Sequence, residues 1–252
     1  GAAINMANIM IGKTSLKGKA FVLLSDGQHN TGPEPANVLG NEPPIYIAGL
    51  GVIQTDYFNR LRAKNIYSKF YNAPNAEYMA VIFNQIVADT RNEPLAYNAY
   101  EQRSCESQER EFNFHIDCKE STEVTISLTW TDEKLHYGKI GESNGIDVTI
   151  KDPEGSIIPF SVVTKQGGYL LMSLKPGMNG QLGLVTRHAD LEGVDHYGET
   201  VGVFIENATY DLSCDISDSV KCGEPILCVV QLEQSNEDIV LETRMSVICP
   251  DY

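Results

Sequence analysis

The sequence predicts an α/β unit with a doubly wound parallel sheet over residues 1–93, followed by an all-β sandwich over residues 94–252. Before residue 94, short continuous apolar runs alternate with segments whose apolar residues recur at helical spacing. After it, apolar and polar residues alternate along many short segments that turn residues separate. A chain of 252 residues with 42% hydrophobic composition is long enough for one large domain or two ordinary ones.

The first part contains two apolar runs, at residues 20–24 and 45–50, that are typical of strands buried on both faces of a parallel sheet. Alternating strands and helices place helices on both faces of such a sheet. The other elements predicted here are a strand at residues 68–71 and helices at 1–12, around 38–39, at 55–64 and at 77–89.

The second part is predicted to hold about eight short strands without intervening helices, which is typical of a sandwich or an open barrel. Residues 91–104 are either a linker or a first strand. The predicted strands are residues 112–116, 124–130, 146–150, 157–163, 169–174, 201–205, 226–231 and 239–247.

Charge separates the two parts. Residues 1–100 carry eight Lys/Arg and seven Asp/Glu, a balance of +1. Residues 101–252 carry eleven Lys/Arg and twenty-seven Asp/Glu, a balance of −16, so the whole chain has a net charge of −15. Nucleic acid is excluded as a partner because its phosphates require a basic surface. An acidic module suits cations, basic partners or solubility outside the cell. No apolar run is long enough to span a membrane, and no signal peptide is visible, so we expect a mature or trimmed product.

All six cysteines follow residue 100, and none forms the C-x-x-C spacing of a zinc site. An even number in a strand-rich region predicts disulfides and a secreted or cell-surface location, and buried free thiols are the alternative. Six cysteines allow fifteen pairings. The shortest loops are closed by Cys105–Cys118, Cys214–Cys222 and Cys228–Cys249. Asn207 begins an Asn-Ala-Thr tripeptide and is a candidate glycosylation site.

No catalytic set emerges from the sequence, and the chain is predicted not to be an enzyme. Residues 141–145 (GESNG) fit the G-x-S-x-G pattern, but a strand pattern follows them where a nucleophile elbow needs a helix, so a turn is predicted. The five histidines form no H-E-x-x-H pattern. The acidic loop 190–195 (DLEGVD) is a candidate calcium loop or an ordinary acidic loop. Trp130 is predicted to be a core anchor of the sandwich.

Several segments of the first part resemble von Willebrand factor A-type domains. Residues 18–32 (GKAFVLLSDGQHNTG) resemble the family's fourth strand and the loop after it, and residues 45–51 (IYIAGLG) look like its next strand and glycine turn. Residues 71–88 resemble the closing segment, and residues 1–7 are similar to the helix after the metal-binding threonine loop. The resemblance implies the C-terminal part of such a domain.

The order of the two parts resembles the calcium-activated chloride channel regulator family, in which a metallohydrolase region, an A-type domain and a β-sandwich occur in series. The segments that carry this resemblance are the alternating strand ending in Thr129-Trp130 and residues 148–155 (VTIKDPEG). Surface proteins of bacteria and protists with a similar layout are an equal alternative.

In the A-type family, a strand ending in Ser/Thr-Asp-Gly delivers an aspartate to a metal-ion-dependent adhesion site. Of the family's ligands only Asp26 matches, and the alternative role for Asp26 is an Asx turn. The resemblance therefore implies Mg²⁺ or Ca²⁺ only if the missing Asp-x-Ser-x-Ser and threonine ligands are supplied.

The family's first strand is central to its sheet, and without it the strand at residues 20–24 would expose an apolar edge. We expect the missing strands to come from an N-terminal fragment, a partner chain or upstream sequence. The resulting hypothesis is adhesion or protein–protein recognition outside the cell, with a protein or matrix ligand. The alternatives are a structural subunit of a surface assembly, or the non-catalytic C-terminal part of a surface metallohydrolase.

Overall fold

The structure is a computed structural model of the chain, and it describes most of residues 68–206 together with shorter segments on either side. The described residues are 4–7, 9, 20–25, 34, 37, 44–50, 55–65, 68–104, 108–117, 123–189 and 191–206, with the backbone alone for strands at 211–215, 225–234 and 237–246.

The N-terminal layer is a parallel sheet of three strands in the order β1-β2-β3. The strands are β1 (Phe21–Ser25), β2 (Ile45–Leu50) and β3 (Lys69–Ala73). The first five residues of β2 are buried on both faces, as the continuous apolar run predicts for a central parallel strand. Residues 4–7 are helical.

One helix packs on each face of this sheet. Helix α1 (Thr55–Lys64) buries Phe58 and Leu61 against Ile45 and Ile47 of β2. Helix α2 (Met79–Arg91), which follows a 3₁₀ turn at Ala76–Tyr78, packs on the opposite face. Asn92 ends α2 in the left-handed conformation that C-terminal caps commonly adopt.

Two antiparallel sheets form the second layer pair. The first has the order β10-β11-β6-β13-β4, and the second has the order β5-β12-β8-β7 with β9 beside β8. The strands are β4 (Leu95–Ser104), β5 (Glu109–Ile116), β6 (Glu123–Trp130), β7 (His136–Tyr137), β8 (Gly145–Lys151), β9 (Ile157–Ile158), β10 (Phe160–Gln166), β11 (Tyr169–Leu174), β12 (Gly180–His188) and β13 (His196–Glu206).

The inner faces of the two sheets share one core of twenty buried apolar residues, to which both sheets contribute. Along β6 the inward positions Val124, Ile126, Leu128 and Trp130 are buried, which matches the period of two in the sequence. A separate antiparallel sheet has the order β14-β15-β16, from β14 (Asp211–Asp215), β15 (Pro225–Gln234) and β16 (Glu237–Ser246).

The chain is therefore mainly β-sheet with few helices, which confirms the coarse form of the predicted fold. Residues 95–104 form a strand and resolve the linker alternative, while the strand β12 was not predicted. The division at residues 93 and 94 stays a prediction. No helix in the described part of the chain combines the length and apolarity needed to cross a membrane.

Candidate functional site

Strand β1 is an apolar strand at one edge of the described parallel sheet, and its two faces differ in exposure. Phe21 and Leu23 pack into the cluster under α1. Val22 and Leu24 point to the opposite face and retain 46% and 51% exposure. Within the described residues, β1 pairs with β2 alone. The apolar run at residues 20–24 was predicted to be buried on both faces, and this prediction is wrong for the face that carries Val22 and Leu24.

Helix α2 adds two exposed apolar side chains on the β1 side of the sheet. Asp89 accepts hydrogen bonds from Lys69 (2.8 Å) and from Tyr71, both on β3, so the flank of α2 that carries Asp89 faces β3. At 3.6 residues per turn, Phe83 and Val87 lie on the other flank.

Phe83 and Val87 are 41% and 39% exposed. Val22 and Leu24 point to the sheet face that α2 covers, because their partners Tyr46 and Ala48 on β2 pack against α2. We call Val22, Leu24, Phe83 and Val87 the apolar edge surface.

Asp26, the candidate metal ligand, directly follows the last residue of β1 but lies outside the described residues. Its role therefore stays a prediction. Among the residues that the structure does describe, no group of three or more His, Cys, Asp or Glu side chains could hold a metal ion.

The candidate disulfide and glycosylation residues also stay predictions. Cys105, Cys118, Cys222, Cys249 and Asn207 lie outside the described residues. The backbone places Cys214 opposite Val230 in β14–β15 and Cys228 opposite Thr243 in β15–β16.

If the three disulfides form, we expect no cysteine of the unfolded but unreduced protein to react with iodoacetamide, and all six to react after reduction. Intact mass before and after reduction measures this directly on protein from its natural source. Alkylation of several cysteines without reductant would instead support the free-thiol alternative.

Two loops that the sequence analysis singled out meet at one end of the sandwich. Ser143 lies in a turn that leads into β8, as predicted, and its hydroxyl donates to Glu192 (3.4 Å). The Glu192 backbone N–H donates to the Asn144 side chain (2.7 Å). Residues 141–145 therefore form a turn whose side chains bond to the loop that holds Glu192.

A buried ion pair inside the sandwich escaped the sequence analysis. Arg103 on β4 donates to both carboxylate oxygens of Glu199 on β13 at 3.1 Å. Thr186 and Trp130 donate to the same carboxylate at 3.0 and 3.2 Å.

Burial raises the pKa of the Glu199 carboxyl, and the nearby Arg103 and the hydrogen bonds oppose that rise. Glu199 is fully buried, and Arg103 and Thr186 are buried with it, so this network is part of the sandwich core. One feature of the sequence could have indicated this pair. Glu199 is a charged residue in the alternation of inward-facing positions on β13, between Tyr197 and Val201.

A cleft of about 600 Å³ lies between the start of α2 and the end of β6. Its acidic wall residue Glu77 accepts a hydrogen bond from Tyr100. Burial and that bond raise the pKa of Tyr100 to about 12. The lining residues are Ala76, Glu77, Ala80, Thr129, Trp130, Thr131, Asp132, Glu133 and His196.

Comparison with known proteins leaves the family open. No protein-family model matches the chain, and no curated protein matches it. One similar solved structure is described as von Willebrand factor type A from Catenulispora acidiphila, at 10% sequence identity. The likeness has a TM-score of 0.30 and covers 97% of this chain but 45% of that one.

Proposed function

We propose that this chain acts in protein–protein recognition and that the apolar edge surface is its contact with a partner. The observation that carries the proposal is the half-exposed pair Val22 and Leu24 on an edge strand that belongs to a parallel sheet. An open strand edge is a ready template for an added strand.

Each residue of the apolar edge surface is expected to contribute a modest free energy of binding, and the four contributions add together. Fully burying a Val, Leu or Phe side chain contributes roughly 1.5–3 kcal/mol. The four residues of the apolar edge surface are about half exposed, so covering them would contribute about 1 kcal/mol each. Backbone pairing along β1 would add direction and register to this contact.

The finer form of the proposal is adhesion outside the cell, with the parallel sheet as an A-type domain and the sandwich as a docking module. The cysteine pattern and the sequon support a secreted or cell-surface, glycosylated protein. Asp26, directly after β1, supports a metal site for Mg²⁺ or Ca²⁺ once other ligands are supplied. On this proposal the chain itself carries no catalysis.

Two alternatives use the same edge differently. A structural subunit of a surface assembly would receive an additional strand beside β1 from a neighbouring copy. The C-terminal part of a surface metallohydrolase would receive it from an upstream fragment that also carries an H-E-x-x-H motif. Tandem mass spectrometry of every polypeptide that co-purifies from the natural source separates the two, because a neighbouring copy yields this chain's own peptides whereas a hydrolase fragment yields peptides with H-E-x-x-H.

Photo-crosslinking tests the recognition surface itself. With benzoylphenylalanine in place of Leu24, we expect ultraviolet light to attach β1 to a second polypeptide segment in protein made by its natural host. Tandem mass spectrometry identifies the attached peptide.

The matched control carries the same group in place of Val163, an exposed apolar residue on the sandwich edge strand β10. It is expected to give no specific product. Equal labelling from both positions, or none from position 24, would count against the apolar edge surface as a binding site.

A further inference from the structure

We infer that helix α2 joins the parallel sheet and the sandwich into one cooperative unit, with Asn84 as the residue that carries the coupling. The helix has two buried sides. Ile82 and Ile86 belong to the apolar cluster of the parallel sheet. Asn84 and Ala88 are also buried, and α2 contacts β4 and β13 of the sandwich.

The Asn84 amide is bonded on both of its ends to the sandwich. Its nitrogen donates to the Asn98 side chain on β4 (3.1 Å), and its oxygen accepts from Ser127 on β6 (3.0 Å). The Asn98 side chain donates in turn to the Val81 carbonyl of α2 (2.9 Å). One helix is thereby fastened to two strands that are not neighbours in their sheet.

Gly202 is what allows this close approach. It lies on β13, between β4 and β6, and a Cβ atom there would stand 2.5 Å from the Asn84 amide nitrogen and 2.8 Å from the Ser127 hydroxyl. A side chain at this position would have to displace the amide or lift the helix. The glycine is therefore needed for contact between the helix and the sheet.

Two further contacts hold the ends of α2. Ahead of the helix, the Glu77 carboxylate accepts from Tyr100 of β4, and the Tyr78 and Tyr100 rings lie 5.4 Å apart. At its C-terminal end, the Glu93 backbone N–H donates to the Ala88 carbonyl oxygen, and β4 begins at Leu95. So short a connection leaves little freedom for the parallel sheet to move against the sandwich.

This coupling makes a specific prediction, because the only tryptophan, Trp130, lies in the sandwich core. Phe58 packs under the opposite face of the parallel sheet and belongs to a different cluster. We expect Phe58→Ala to lower the denaturation midpoint reported by Trp130 fluorescence as well as the midpoint of the helical circular dichroism band. The effect of Phe58→Ala reaches the sandwich through α2. We therefore expect Asn84→Ala to remove most of the shift in the Trp130 fluorescence midpoint that Phe58→Ala causes.

The experiment compares Phe58→Ala in three backgrounds of the full chain: unchanged, Asn84→Ala, and Asn72→Ala. Asn72 is an exposed asparagine on β3 and serves as the matched control, in which the fluorescence shift should persist. Phe58→Leu replaces Phe58→Ala if the latter does not fold. An unmoved Trp130 midpoint in the unchanged background would overturn the coupling. A shift of equal size in the Asn84→Ala background would overturn the part assigned to Asn84.

Discussion

Replacing Arg103 with Met is expected to lower the free energy of unfolding by about 3–5 kcal/mol, because it leaves a buried carboxylate without its counter-charge. Glu199 is fully buried, and Thr186 and Trp130 would remain as its hydrogen-bond donors. Two neutral donors do not replace a guanidinium. Urea denaturation followed by Trp130 fluorescence measures the loss.

The same variant should become sensitive to pH. Burial already raises the pKa of Glu199, and removing Arg103 takes away the largest opposing influence. The native chain then keeps a proton that the unfolded chain releases, so stability falls as pH rises from the ordinary glutamate pKa to the raised one. We expect the loss to be smaller at about pH 5 than at about pH 8.

Arg187→Met is the matched control for this substitution. Arg187 pairs with Glu109 at 2.6 Å, but that pair lies at the surface and Glu109 is exposed. Solvent screens such pairs, so stability should change little. If both arginine variants lose the same stability, or if neither does, the buried network is not what holds this end of the sandwich together.

Leu128→Ala is expected to cost about 2–5 kcal/mol, the usual range for a large-to-small change in a packed core. Leu128 is fully buried on β6, and β6 pairs with β11 on one side and β13 on the other. Surrounding strands that are hydrogen-bonded on both sides have little freedom to close the cavity. Denaturant titration monitored by circular dichroism provides the measurement.

Val163→Ala provides the comparison, since Val163 is an exposed apolar residue on β10. Its truncation should change the free energy of unfolding by no more than about 0.5 kcal/mol. Similar losses at positions 128 and 163 would show that the two sheets do not share a packed core.

Where the apolar pattern is regular, the sequence was sufficient to place the elements. The run at residues 45–50 predicted a buried strand of the parallel sheet, and the alternation at 124–130 predicted a strand of the sandwich. Both predictions depend only on which positions are apolar. The period of two in β6 is visible without knowledge of its neighbours.

Other elements lack such a pattern. Strand β12 begins with Gly180 and contains Gly183, so it looks like a turn-rich segment. A Cβ atom at Gly183 would lie 2.5 Å from the Glu111 carboxylate, which explains the glycine but only once the pairing with β5 is known. Strand β4 contains several polar residues whose partners are distant in the sequence: Asn98 bonds to Asn84 on α2, and Arg103 bonds to Glu199 on β13.

The candidate site divides in the same way. The apolar edge at β1 was expected from the resemblance, and among the described residues β1 pairs with β2 alone. The contribution of Phe83 and Val87 to the apolar edge surface could not be anticipated, because it depends on which flank of α2 faces β3. The Arg103–Glu199 pair spans 96 positions, and no local pattern reports a contact of that length.

The strand order of the first sandwich sheet also sets when the protein can fold during synthesis. Strand β13 lies between β4 and β6, so β4 has no neighbour in its sheet until β13 has left the ribosome. At ordinary rates of translation, the 96 positions between Arg103 and Glu199 take roughly 5–20 s. Throughout that interval β4 lacks its strand partner, and its polar residues Glu101, Gln102 and Arg103 can be solvated while it is unpaired. A more apolar strand at this place would be exposed to aggregation for as long as the nascent chain remained unfinished.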